Sequence, residues 1–515
     1  MTSGSTERRQ VMNDATDRLR RDGQAFMEEI SREYYLAGAG HKSTADLQPI
    51  YKRHGTVTGR DALAYIGERF KHTEPGTEDH RQARTLLEWL TELQSSRDLA
   101  PLEEREIAWE GATIIRTAEG RDIEFQRASI EIATSRDRRE RLAIEKARNA
   151  ALASGLAPIR RERFERERVI IEQLELADGY NATFEALSGI DLGALAVQCE
   201  EFLKATKALW DDTYPRFVRK VLHIEPNEAT RADAVALFHG HEFDEQFPSS
   251  SMEWEIRRQV REMGIDPIAG GRVLYDTEDR PGKRSRAFCA ATRIPEEVYL
   301  VLRPHGGQSD WTTFLHELGH ALHFGYMNPK LPFEYRWLGD NSLTEGYAML
   351  FDHLMHDPGW LKRYTPLSAT KLDAFIRANA FFELHMLRRY TAKLLYEIDL
   401  HSGRLSHDQL TDLYVERLTS ATTFRYNGAE AFVDVDPRFY STRYLRAWQL
   451  QALITETLRE HFNEDWWRNP KAGPWIVEDL FSLGQQELAT EQAMRVAGKT
   501  LGFDPLIRAV ERELA

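Results

Sequence analysis

Cysteine is scarce in this chain of 515 residues, where only Cys199 and Cys289 occur. Two cysteines are too few for a disulfide framework, and neither belongs to a CxxC motif. We therefore interpret both as packed thiols of a protein from a reducing compartment. The first residues lack the apolar segment of a signal peptide, so the expected location is the cytoplasm.

Long apolar runs and an excess of positive charge are also absent. The sequence has no run of about 18 apolar residues, the length that a membrane span needs. The formal net charge is −14, which argues against nucleic acid as a partner. Hydrophobic residues make up 42% of the chain, an ordinary fraction for a globular protein with a large core.

Helical periodicity dominates the chain. Apolar residues recur at helical spacing at Phe26, Ile30 and Tyr34, and again within residues 192–209. Strand patterns concentrate in three short segments, residues 272–275, 286–292 and 298–302. We expect a mainly α fold with a small β-sheet. The edge of that sheet would either bind an extended peptide or serve packing alone.

The motif HELGHALH, from His316 to His323, contains the pattern HExxH. On a helix His316 and His320 share one face and can bind a tetrahedral metal ion, while Glu317 can reach a water on that metal. Zinc hydrolases use this arrangement, in which zinc lowers the pKa of the water and the carboxylate takes its proton. The flanking residues are apolar nearly all round, which indicates a buried helix rather than two solvated histidines. The expected cofactor is one Zn²⁺ per chain.

A catalytic zinc site has three protein ligands and an open fourth position, and Glu345 is the candidate for the third. It lies in the segment 341–352, part of which has a helical pattern. Ser342 and Glu345 also have the spacing of a capping box, so the residues alone leave a ligand and a helix cap open. We expect His323 to support the site or to lie in the core, because a fourth ligand would close the site.

Residues 275–352 resemble the catalytic core of the thimet oligopeptidase and oligoendopeptidase F family. In that family a Lys-Arg-Ser-Gly-Ala strand precedes a second strand, the HExxH helix and a glutamate ligand. This chain has the corresponding segments at 283–289 and 298–302, followed by the motif and Glu345. Arg286 departs from the pattern, because it occupies the position where the family has glycine. Its side chain would narrow or charge the substrate groove.

A related family, the angiotensin-converting-enzyme-like dipeptidyl carboxypeptidases, is similar at residues 331–332 and 339–341. Both resemblances imply two helical lobes around a deep substrate cleft, with the small sheet before the HExxH helix. They imply zinc bound by His316, His320 and Glu345. Separately, the composition around Gly240 and residues 248–251 predicts an N-terminal helical region over 1–240 and a catalytic region over 241–515.

Late tyrosines donate to the oxyanion in both families, and the resemblance implies the same for Tyr444, with Tyr440 one turn earlier. The alternative is that these rings anchor a helix in the core. Arg443 would bind a substrate carboxylate or neutralise Asp434 or Asp436.

Both families also place a histidine shortly before these tyrosines, but none occurs here between His407 and His461. His305, just after the last predicted strand, is a candidate for that role, and a turn histidine without a role is the alternative. Asp352 falls where the oligopeptidase family has a second acidic residue. It would either orient a ligand histidine or lie on the surface.

The sequence thus predicts a zinc metallopeptidase that hydrolyses oligopeptides with Glu317 as the base. The nearest alternative is a carboxypeptidase or dipeptidyl carboxypeptidase of the same fold. An alternative from another class is a non-catalytic, metal-stabilised scaffold that binds peptides. Glu317 argues against this scaffold, since a structural metal site does not require a carboxylate there.

Overall fold

The computed structural model describes residues 3–239 and 241–515, with side chains for 14–239 and 242–515. The predicted fold class is confirmed: the chain is mainly α-helical, with a small sheet directly before the HExxH helix. Gly240, around which the predicted boundary was drawn, lies outside the described residues. None of the described helices combines the length and the apolar character that a membrane crossing requires.

The helices of the first half of the chain are α1 Ser3–Gly38, α2 Gln48–Arg53, α3 Gly55–Thr58, α4 Arg60–His72, α5 Glu78–Ala112, α6 Phe125–Thr134, α7 Arg138–Ala151, α8 Ala157–Glu172, α9 Gly179–Ser188, α10 Leu192–Ala205, α11 Lys207–Phe217, α12 Arg231–Phe238 and α13 Ser249–Glu262. Those of the second half are α14 Gln308–Tyr326, α15 Phe333–Trp337, α16 Asn341–Asp352, α17 Pro358–Tyr364, α18 Ala369–His401, α19 His407–Thr422, α20 Tyr440–Phe462, α21 Ala472–Asp479, α22 Ala489–Ala497 and α23 Asp504–Leu514. The strands are β1 Ile114–Arg116, β2 Asp122–Glu124, β3 Val273–Asp276, β4 Phe288–Arg293 and β5 Glu297–Val301.

The described residues form two compact units, each assembled from separate segments of the chain. The first unit comprises residues up to 94, 243–373 and 446–501. The second comprises 95–242, 374–445 and 502–515. One boundary falls between Glu242 and Phe243, yet both units also contain residues from the other side of it. The division into regions 1–240 and 241–515 therefore stays a prediction.

In the first unit, a three-stranded sheet has the order β3-β5-β4. The strand β3 pairs in parallel with β5, and β4 pairs antiparallel with β5, with Cys289 opposite Leu300. The strands match the three predicted segments within a residue or two at each end. The end of α1 packs on this sheet: Tyr35 of the helix and Ala39, the residue after it, form a buried cluster with Ala290 and Val301. Phe26 and Ile30 of the predicted apolar stripe are buried, but Tyr34 is 46% exposed because Tyr35 takes the core position.

In the second unit, a β1–β2 hairpin covers a helical core. Ile115 and Ile123 face each other in the hairpin, and both are buried against α6 and α7. Farther along the chain, α10 buries the apolar face that its spacing predicts, including Leu195 and Phe202. This agreement follows from the narrow stripe that an amphipathic helix presents to a core.

Candidate metal centre

The helix α14 carries His316, Glu317 and His320 and is buried over most of its surface. At its start, the Asp310 carboxylate accepts hydrogen bonds from the backbone N–H groups of His305 and Gly306. A carboxylate in the first turn also interacts favourably with the positive end of the helix dipole. Asp310 therefore ties the preceding loop to the first turn of α14.

The helices α14 and α16 pack against each other at Gly319. A β-carbon added at Gly319 would lie 2.6 Å from the Ala348 Cα atom and 2.8 Å from the Tyr347 carbonyl oxygen. Only glycine permits this approach without moving one helix. Because the helices are so close, side chains of the motif reach side chains of α16.

The side chains of His316, His320 and Glu345 meet, with their ligand atoms within 4.8 Å of one another. The Glu345 Oε2 atom lies 3.5 Å from His316 Nε2 and 3.8 Å from His320 Nε2. Ligand atoms about 2.1 Å from a tetrahedral zinc ion lie about 3.4 Å apart, so the spacing fits zinc. Two imidazoles and one carboxylate are also a donor set that zinc accepts.

Both imidazoles are oriented through their Nδ1 atoms. His316 Nδ1 lies 2.8 Å from Asp352 Oδ2, and His320 Nδ1 lies 2.8 Å from the Thr344 hydroxyl. With Nδ1 bonded in this way, the Nε2 atom of each ring is the one that faces Glu345, as in a metal site. The other Asp352 oxygen lies 2.6 Å from His353 Nδ1, so this carboxylate links two histidines.

The electrostatics of the two candidate ligand histidines differ. Burial opposes the charged form of His316, but its hydrogen bonds to Asp352 and Glu345 raise its pKa to about 10. For His320, burial lowers the pKa to about 4, and the negative charges of Glu345 and Asp352 oppose this fall only in part. For Asp352, burial alone would raise the pKa, yet His353 and His316 lower it to about 2. The cluster therefore combines an imidazole that favours the neutral form, an imidazole that favours the charged form and the ionised Asp352 carboxylate.

Glu317 lies beside this cluster and contacts the sheet. Burial raises the pKa of its carboxyl group, and the positive charge of His316 opposes the rise. The backbone N–H of Cys289, in β4, donates a hydrogen bond to the carboxylate. The strand β4 also packs on α14. Glu317 is thus a partly buried carboxylate, oriented by the sheet and adjacent to the candidate metal ligands.

The capping-box alternative for Glu345 is wrong. The helix α16 begins at Asn341, and the Asp340 side chain caps it by accepting from the Ser342 backbone N–H at 2.9 Å. Ser342 therefore lies inside the helix, and Glu345 lies in its second turn. With its capping role removed, Glu345 is a buried carboxylate that lies within 4 Å of both histidines.

Other predicted residues lie outside the ligand cluster. His323 is buried against the rings of Tyr347 and Phe481, and burial lowers its pKa to about 3. His305 is exposed in the turn before α14. These two histidines are not among the grouped ligand atoms.

Tyr440, Arg443 and Tyr444 belong to the second unit, at the start of α20. The rings of Tyr440 and Tyr444 meet edge to face with centroids 5.1 Å apart, and Tyr390 contacts Tyr444 in the same way. Arg443 is buried. Their predicted roles in oxyanion and carboxylate binding stay predictions.

Sequence reasoning missed Thr344, His353 and the Cys289 amide. Thr344 and His353 directly adjoin residues that the sequence did single out, Glu345 and Asp352. Their position next to a candidate residue in a predicted helix is the sequence signal that could have indicated both. A backbone amide leaves no signal in the sequence, because every residue except proline carries one.

We compared the chain with known proteins by sequence and by structure. No family model matches the chain. A stretch of 145 residues, 27% of the chain, is 25% identical to the chromosomal oligoendopeptidase F of Lactococcus lactis subsp. cremoris. The match spans only 23% of that relative's length. It confirms the resemblance predicted from the sequence.

Two solved structures align along nearly the whole chain. A carboxypeptidase from Pyrococcus furiosus gives a TM-score of 0.62 at 14% identity, covering 98% of this chain and 99% of the other. An M32 carboxypeptidase from Deinococcus radiodurans R1 gives 0.63 at 12% identity, covering 97% and 99%. The fold is the same. At this level of identity the likeness concerns the fold and leaves the chemistry to the site.

Proposed function

We propose that this protein is a zinc-dependent metallopeptidase that hydrolyses peptide bonds in oligopeptides. The proposal rests on one observation: His316, His320 and Glu345 meet at zinc-ligand spacing. Glu317 lies beside them, on the same helix as the two histidines. The relative described as an oligoendopeptidase supports peptides as the substrate class.

The three ligands would hold the zinc ion, which when bound lowers the pKa of water and polarises the scissile carbonyl. Glu317 accepts the proton of the attacking water and returns it to the leaving amine. Its raised pKa suits both steps, since a base must also become an acid within one cycle. Asp352 and Thr344 hold the imidazoles in place. Tyr444, with Tyr440 beside it, donates to the oxyanion.

The experiment compares metal content and peptide hydrolysis in the wild type, Glu317→Gln and His320→Ala. The wild type should contain about one zinc per chain by elemental analysis. The Glu317→Gln variant should keep that metal and lose about two to four orders of magnitude in kcat, because an amide cannot accept the proton. The His320→Ala variant should lose both metal and activity. Full activity in a metal-free wild type would refute the proposal.

Exopeptidase action is the second candidate. Two of the structures that align over nearly the whole chain are described as carboxypeptidases, which favours removal of C-terminal residues. Peptides with free and amidated C-termini separate the candidates. A carboxypeptidase cleaves only the free form, whereas an endopeptidase cleaves both at internal bonds.

A further inference from the structure

Arg286 lies two residues before β4, in the segment that leads into the strand contacting Glu317. Its side chain is exposed. Within the side chains that the structure describes, it takes part in no ion pair or hydrogen bond. Its neighbours differ, because Arg280 and Lys283 of the same loop both pair with Asp276. Arg286 therefore carries a guanidinium with its donors available.

This guanidinium is close to the reaction centre. The Cys289 amide contacts the Glu317 carboxylate, and Arg286 is only three positions before Cys289 in the chain, a span of about 10 Å. The charge of Arg286 is also near enough to lower the pKa of Glu317, against the larger effect of burial. If the scissile bond of a peptide lies at Glu317, the groups of the peptide next to that bond are therefore within reach of Arg286.

Hydrogen bonds hold the loop that carries Arg286 in place. The Lys283 ammonium group is fully buried and donates to the Asp276 carbonyl and carboxylate at 2.7 and 2.9 Å, and to the Glu278 carbonyl at 2.8 Å. The next residue, Arg284, donates its backbone N–H to the Gly38 carbonyl of α1 at 2.9 Å. Because these bonds hold the backbone before Arg286 and β4 begins two residues after it, a ligand at Arg286 need only order one side chain.

We propose that Arg286 is a specificity-determining residue that binds a carboxylate of the peptide substrate next to the scissile bond. Guanidinium binds carboxylate through two parallel hydrogen bonds, and an unpaired arginine beside a reaction centre fits that ligand. The carboxylate belongs either to the C-terminus of the substrate or to an acidic side chain beside the cleaved bond. This inference rests on the proposed peptidase function.

The test compares Arg286→Gln with the wild type on a matched set of peptides. One peptide is neutral with an amidated C-terminus, the second has a free C-terminus, and the third is amidated with Glu in place of Gln beside the cleaved bond. We expect KM to rise about 10- to 100-fold for whichever peptide carries the recognised carboxylate, with kcat and the neutral peptide unchanged. Arg286→Lys should restore part of the loss.

Arg284→Gln is the matched control. Arg284 is exposed in the same loop and lies over the Phe288 ring, so its loss should leave all three peptides unchanged. An equal fall in kcat for every peptide with Arg286→Gln would overturn the inference, because the residue would then act on Glu317. Unchanged kinetics for all peptides would overturn it as well.

A binding measurement separates this inference from the proposed function. The same peptides are titrated calorimetrically into Glu317→Gln and into the double variant with Arg286→Gln. A weaker Kd only for peptides with the carboxylate supports Arg286 as its ligand, even if the wild type cleaves none of them. Absence of cleavage by the metal-loaded wild type would count against the peptidase proposal alone.

Discussion

At the scale of the single residue, Asp352 contacts two histidines, and its side chain is largely shielded from solvent. Its carboxylate bonds His316 Nδ1 on one side and His353 Nδ1 on the other. The sequence left Asp352 open between orienting a ligand and lying on the surface. The packing of α14 on α16 brings Asp352 to His316. The sequence does not predict this contact, because the two residues are 36 positions apart in the chain.

We expect Asp352→Asn to weaken zinc affinity about 10- to 100-fold, the usual effect of removing a carboxylate behind a ligand histidine. An amide can still accept a hydrogen bond but does not increase the basicity of the imidazole. The measurement is a competition titration with a chelator at fixed pH. Thr344→Val tests the equivalent contact of His320 and should have a smaller effect, since a neutral hydroxyl is lost. Wild-type affinity in Asp352→Asn would remove this residue from the site.

Tyr444 is the second prediction at this scale. Its proposed role is a hydrogen bond made to the oxyanion, so Tyr444→Phe should lower kcat about ten- to a thousand-fold. KM and zinc content should stay near the wild-type values, because the ring remains. Tyr440→Phe is the control one turn earlier. A loss confined to Tyr440→Phe would place the donor there, and normal kinetics in both variants would end the assignment.

At the scale of the element, local patterns were enough for the strands and for the motif helix. The three strand segments have β-branched or aromatic residues bounded by turns, and α14 has its start signal in Asp310. The start of α16 was less clear, because Ser342 and Asp340 are both good capping residues. Two nearby caps compete, and the sequence cannot rank them without the tertiary contact between Asp340 and the Ala489 backbone N–H.

The contact between α14 and α16 gives an element-scale prediction. In Gly319→Ala the new methyl group would meet the backbone of α16, so one helix must move. We expect a loss of about 1–3 kcal/mol in the free energy of unfolding, typical of overpacking. Zinc occupancy should also fall, because His320 and Glu345 come from the two separated helices. Denaturant titration and elemental analysis measure the two effects.

Gly67→Ala is the matched control for that variant. Gly67 lies inside α4, and the nearest atom to its added β-carbon is Leu87 Cδ1 at 3.9 Å. Alanine has the higher helix propensity, so stability should be unchanged or rise by up to about 1 kcal/mol. If Gly319→Ala behaved like this control, the close approach of α14 and α16 would not be needed for the site.

At the scale of the whole molecule, the sequence predicted the class of fold but not the assembly of its units. Helical periodicity reports which face of a segment is buried, and never which other segment covers it. The first unit gathers three separate parts of the chain, and one of its boundaries falls inside α20. No linker marks that point, because a continuous helix has no turn residues. The predicted boundary near Gly240 relied on such turn residues, and a boundary inside a helix offers none.

Ionisable groups buried in the second unit give a last prediction, which concerns how the stability of the fold depends on pH. Glu397 of α18 is fully buried, and burial raises its pKa to about 7 although Lys393 opposes the rise. A carboxyl group with a higher pKa in the folded state than in the unfolded state costs stability as the pH rises from about 4.5 to 7. Glu397→Gln removes that cost and keeps an acceptor for the Asp436 backbone N–H.

We therefore expect Glu397→Gln to unfold at the wild-type temperature near pH 4.5 and at a higher temperature above pH 7, as measured by calorimetry. Asp434→Asn is the control of opposite sign. Burial alone would raise the pKa of Asp434, but Arg389 and Lys393 hold it below its ordinary value. Its charge stabilises the fold above the unfolded-state pKa, so the variant should lose stability at neutral pH and lose less in acid. A destabilised Glu397→Gln at pH 8 would show that the charged form is needed beside Lys393, and the sign argued here would be wrong.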